Sequence, residues 1–249
     1  MTEDASNLVD AESQVKQTTA RKHPKEVSLM AELLNIYTNG FNLVGSWERT
    51  EDNDLQYAWL QVIARSLHSI RSTILLILSG YYGPALALLR TVTEDWLIAK
   101  DCQHHKPTLE ALLYEKHRLG SKKFKLGYKD MADRIAKVDK VADVTYESDY
   151  DFQCKFNHTR RLSLAIMINR KTNELKVRPE YDEILFYACC ESLMRNGLKM
   201  NELMYLLLES LSDQAPKTWG SMVEPVVKDI AEWLRDLHKK YGDEDTDVA

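Results

Sequence analysis

The residues best suited to chemistry are Arg90 and Glu94, set four apart in the apolar run Ala85 to Ala99 (ALALLRTVTEDWLIA). Positions four apart share one helix face, and the flanking Leu86, Leu89, Trp96 and Leu97 predict partial burial. A charge taken out of water needs a partner, so the pair is either a core ion pair or part of a site where Arg90 binds phosphate and Glu94 orients it or acts as base. Arg65, His68 and Arg71 recur at spacings of three beside Leu67, Ile74 and Leu78. They form a row able to bind substrate, or one whose heads simply reach water from the edge of an apolar stripe. His158, within Asn157-His158-Thr159-Arg160-Arg161, titrates near neutrality and is the candidate acid or base. Tyr150, Arg160 and Arg161 join the substrate-binding set, the arginines as phosphate or carboxylate holders. The plainer reading is a histidine serving the last carbonyls of a helix.

Helices must position these groups. Gly (9) and Pro (6) are scarce in 249 residues, which favours long helices over many-turned β folds. Apolar spacings of three and four predict helices over Val27–Val44, Leu55–Ser79 and Ala85–Cys102. Others are expected from Pro107 onward, over Met131–Val138, Ser148–Arg160, Tyr181–Leu211 and Met222–Tyr241. The short Ser79–Pro84 connection makes the second and third helices antiparallel neighbours. Residues 162–178 alternate β-prone runs around Asn169–Glu174 and predict a small β-hairpin ended by Pro179. The expected fold is thus mainly all-α, a bundle of about seven helices with a hairpin insertion. Residues 1–26 are expected to be a flexible polar lead-in, 27–241 one domain, and 242–249 a disordered acidic tail.

Composition narrows the function. Cys102, Cys154, Cys189 and Cys190 show no metal-ligand spacing and read as reduced thiols, predicting a cytoplasmic protein without a metal or other cofactor. Residues 72–89 carry no charge, yet Gly80, Gly83 and Pro84 interrupt them, so no membrane partner is expected. The net charge of −5 argues against indiscriminate coating of nucleic acid. Two local stretches, Arg118–Lys140 at +5 and Lys155–Arg178 at +6, make the middle basic, and Phe124 and Tyr128 in the first suit stacking on RNA. Phosphate-loop, dinucleotide, zinc-protease and hydrolase motifs are all absent.

Leu88-x-Arg90-x-x-x-Glu94, followed by Tyr150 and His158, resembles a large uncharacterised family of bacterial helical proteins over roughly Arg65 to Met194. The chain is more distantly similar to the helical ribonuclease bundles of toxin and defence systems, which carry an Arg followed after four to six residues by His. Arg65-x-x-His68 and Arg235-x-x-His238 are shorter than that pattern, so the resemblance implies a split site of Arg90, Glu94 and His158 acting on RNA or a nucleotide. The alternative is a non-catalytic helical module, a homo-oligomer or the binder of a partner protein, in which Arg90 and Glu94 are structural.

Overall fold

A computed structural model describes residues 3–45, 50–114, 127–139, 149–150, 152–154 and 179–241. The described residues form α-helices and short connections, with no strand among them. The expected hairpin over 162–178, the acidic tail, and His158, Arg160 and Arg161 lie outside the described residues.

The N-terminal segment carries a helix that apolar spacing does not mark. Helix α1 (Glu3–Lys22) is polar on most of its surface, yet it buries Val15 and Thr19 against the body. Tyr81 donates to Glu12 at 2.8 Å and holds it there. His23 separates it from α2 (Pro24–Val44), which starts three residues before the expected point because proline suits a first helical turn.

Helix α3 (Asp54–Leu78) and helix α4 (Tyr82–His104) form the predicted antiparallel hairpin. Asn53 stands at the N-cap of α3, where its side chain accepts from the Thr50 amide at 2.8 Å. The helix ends in a paired-bond cap: Tyr81 N–H donates to the Leu76 carbonyl at 2.8 Å and Gly80 N–H to that of Ile77 at 3.1 Å. Gly80 takes the left-handed conformation this requires (φ 82°), and a Cβ there would meet the Glu180 backbone oxygen at 3.0 Å. Pro84 falls in the first turn of α4, which therefore begins at Tyr82 instead of Ala85.

Helix α5 (Lys106–Tyr114) and helix α6 (Tyr128–Ile135) cover α4 from one side. Helix α7 (Glu183–Leu211), capped by Asp182 accepting from Leu185 N–H at 3.1 Å, crosses α2, α3 and α4 and contributes Phe186, Leu193, Met200 and Leu203 to the core. Helix α8 (Ala215–Tyr241) packs on α2 and α7. It starts seven residues before the expected Met222: the Ser212 hydroxyl caps Ala215 N–H at 3.0 Å, and Pro216 occupies the first turn, not a gap.

Candidate functional site

Helix α4 is buried almost all round in its second half, from Val92 to Cys102, so its charged residues need partners from neighbouring helices. Arg90 and Glu94 do meet: Arg90 Nε donates to Glu94 Oε1 at 2.8 Å, with side chains 22% and 17% exposed. Arg90 Nη2 also donates to the Tyr150 hydroxyl at 3.3 Å, and its guanidinium lies 5.3 Å from the centre of that ring. Tyr128, on α6, packs its ring 5.5 Å from that of Tyr150, and its hydroxyl feels the charge of Glu94. Burial first and the Glu94 charge second push the Tyr128 hydroxyl up to about 12. Both members of the pair are therefore engaged and partly covered. A carboxylate already accepting from a guanidinium and partly covered is better placed to orient than to abstract a proton.

Arg65 does not join Arg90 directly; it pairs with Asp95, a residue that spacing along α4 leaves unmarked. Arg65 Nε donates to Asp95 Oδ2 at 3.0 Å and Nη2 donates to Oδ1, a two-pronged contact. The Ser66 hydroxyl adds a third bond to Oδ2 at 2.8 Å. Asp95 is 4% exposed on its side chain and Arg65 57%, so a buried carboxylate fixes an arginine whose remaining N–H groups face outward. Burial pushes the Asp95 carboxyl above its ordinary range, while Arg65 and Ser66 pull it back. The charge of Glu94 reaches Arg65 as well, and those of Asp95 and Arg90 reach Tyr128, so the two pairs form one electrostatic group. His68 and Arg71 are exposed farther along α3 and make no hydrogen bond or ion pair among the described residues.

The other buried charges were not legible from spacing either. Asp101, wholly buried, accepts from Arg134 on α6 at 2.8 and 2.7 Å and from the Thr108 hydroxyl at 2.6 Å. Lys100 bonds Glu202 at 2.6 Å and Asp139 at 3.2 Å. Lys199 pairs with Asp149, and burial lowers its ammonium below the usual lysine range. Between these pairs, Thr93 sits 2.9 Å from Gln153 Oε1 and 2.8 Å from Asn196 Oδ1, in a fully buried polar knot joining α4, α7 and residues 152–154. The one available signal was a run of polar residues inside apolar helices, and it does not name partners.

Among the described residues, no three His, Cys, Asp or Glu side chains gather as metal ligands would. No helix among them is long and apolar enough to cross a membrane. Comparison of the chain with protein-family models, with curated proteins and with solved structures finds no match.

Proposed function

We propose that the chain is an effector of a bacterial defence or stress response that binds RNA or a nucleotide phosphate on the face shared by α3 and α4. Arg65 is the principal phosphate contact, with Arg90, His68 and Arg71 as further cations of α3 and α4; from the sequence alone, His158 is the proposed acid or base and Arg160 and Arg161 are further phosphate holders. The observation that carries this reading is the outward-facing guanidinium of Arg65, fixed from behind by buried Asp95 and Ser66. An arginine held in advance loses little freedom on binding an oxyanion, and its free N–H groups match phosphate oxygens in pairs. If the site cleaves RNA, Glu94 orients and His158 exchanges the proton.

The test is fluorescence anisotropy with a labelled single-stranded RNA of mixed sequence, with ATP as competitor. Arg65→Ala is expected to weaken binding about tenfold or more, the scale of one lost charge-assisted pair. Arg71→Ala is expected to weaken it less and to flatten the salt dependence. Arg65→Lys keeps a charge against Asp95, so it guards the fold while losing the two-pronged geometry. Unchanged affinity in Arg65→Ala and Arg65→Lys proteins of native helicity rejects the reading. His158→Ala should leave binding intact and remove any cleavage seen on a gel.

A second reading keeps Arg90 and Glu94 purely structural, in a module that assembles with itself or another protein. The enclosure of that pair by Tyr128 and Tyr150 favours it, as do the exposed Ile184, Tyr205 and Met222 on α7 and α8. Light scattering distinguishes it: an assembled species that binds no RNA supports the module, and a monomer at high concentration removes it.

A further inference from the structure

A cavity of about 190 Å³ lies between α7 and the residues Asp149 and Phe152, and Arg65 is not among its described lining. Its walls are Asp149, Phe152, Ala188, Glu191, Ser192 and Arg195. The volume equals that of about six waters at ~30 Å³ each, so it suits a small molecule rather than a polymer.

The wall charges are each half-used. Arg195 Nε and Nη2 approach Glu191 Oε1 at 3.0 and 2.9 Å, and His238 Nε2 reaches the same oxygen at 2.9 Å. Oε2 takes none of these contacts, and neither does Arg195 Nη1. Lys199 bonds Asp149 through Oδ2, leaving Oδ1 as a second acceptor in a residue only 9% exposed. Ser192 accepts from Gln153 at 2.9 Å, so its hydroxyl proton is available to donate. The wall thus offers two carboxylate oxygens, a guanidinium N–H group and a hydroxyl, beside the apolar Phe152 and Ala188.

The two described carboxylates are each balanced by a cation, Lys199 behind Asp149 and Arg195 on the wall beside Glu191, so the described charges nearly cancel. A ligand of net charge would leave one charge uncompensated in a half-enclosed space, whereas a dipolar ligand of no net charge would not. On this balance of the described charges, we infer that the cavity binds a zwitterionic α-amino acid with a small apolar side chain. Its ammonium lies against Asp149 and Glu191, its carboxylate takes Arg195 and Ser192, and its side chain rests on Phe152 and Ala188. The site is separate from the proposed phosphate face, so either can fail alone.

Isothermal titration calorimetry of the full chain with valine tests the inference. Isobutylamine, which lacks the carboxylate, and isovalerate, which lacks the ammonium, are the paired controls. Valine is expected to bind, with each control about tenfold weaker or worse, as expected for one lost charge-assisted contact. Glu191→Gln should weaken valine by about the same factor. Ala188→Leu, which fills the cavity, should abolish valine binding while circular dichroism stays native. Glu191→Gln carries the test if the leucine variant does not fold. Absence of valine binding to the folded wild-type chain overturns the inference. So does equal binding of isobutylamine, or valine affinity untouched by Glu191→Gln.

Discussion

Asp101 has no exposed surface, yet its oxygens receive two N–H groups from Arg134 and the Thr108 hydroxyl. Asparagine in its place keeps the shape, removes the charge and turns one acceptor into a donor facing other donors. Since Arg134 is a third exposed and can recover some hydration, the expected loss for Asp101→Asn is near the low end for a broken buried pair, about 3 kcal/mol, read from urea unfolding. Asp101 and Asp95 mark what residue-level reading of the sequence can and cannot reach. Spacing on one helix finds Arg90 and Glu94, because their meeting depends only on helical geometry. It gives no access to Arg65 with Asp95, or to Asp101 with Arg134, because those pairs span different helices and depend on packing. Arg65 was legible as a candidate; the carboxylate that fixes it was not.

At the scale of the element, α2 and α7 cross so closely that glycine is required at the contact. The Tyr37 hydroxyl donates to the Gly197 carbonyl at 2.5 Å, and a Cβ on Gly197 would stand 2.7 Å from both methyl carbons of Leu33, which is fully buried. Gly197→Ala gains about 1 kcal/mol of helix propensity but incurs about 1–3 kcal/mol of overpacking, so a net loss is expected in the urea midpoint. A Cβ on Gly40 would stand 2.9 Å from Met204 Cγ, Sδ and Cε, a buried but flexible side chain, so Gly40→Ala is expected to cost less than Gly197→Ala. The helices themselves were largely legible: the α3/α4 hairpin follows from apolar period and one short turn. Their starts were not: α2, α4 and α8 begin before the points that apolar spacing marks, because Pro24, Pro84 and Pro216 sit in first turns where no N–H is needed. α1 was missed for a different reason. Its single buried stripe, through Val15 and Thr19, is too thin to register against its polar remainder.

Across the whole molecule, His23 is where the joint between α1 and α2 meets the start of α7. Its ring, 5% exposed, stacks on Phe186 at 4.3 Å, contacts the hydroxyls of Tyr181 at 2.5 Å and Tyr187 at 3.3 Å, and lies 3.8 Å from Glu26 on α2. Burial lowers its affinity for a proton, outweighing the pull of Glu26 and Glu183. The unfolded chain therefore binds the proton more readily than the folded one between the lowered value and the ordinary 6.5. Stability from the neutral ring is present above pH 6.5 and is lost as pH falls from there through the folded value. Urea unfolding at pH 7.5 and 5 is expected to show that loss, and His23→Phe should shrink it; equal slopes for both proteins would remove His23 from the account. The joints between helices carry another regularity. Trp59 donates its indole N–H to the Ala99 carbonyl at 3.0 Å, Trp219 to that of Ile36 at 3.0 Å, Trp96 to Glu202 at 3.2 Å and Trp233 to Glu26 at 2.9 Å. All four rings are buried, and together they bridge three pairs of helices: α3 with α4, α4 with α7, and α8 with α2 at two points, once through a carbonyl and once through a side chain. Each indole is thus an intrinsic optical probe of one joint, and replacing the other four tryptophans of the chain, Trp47 included, by phenylalanine leaves a protein whose emission colour reports when that joint alone admits water.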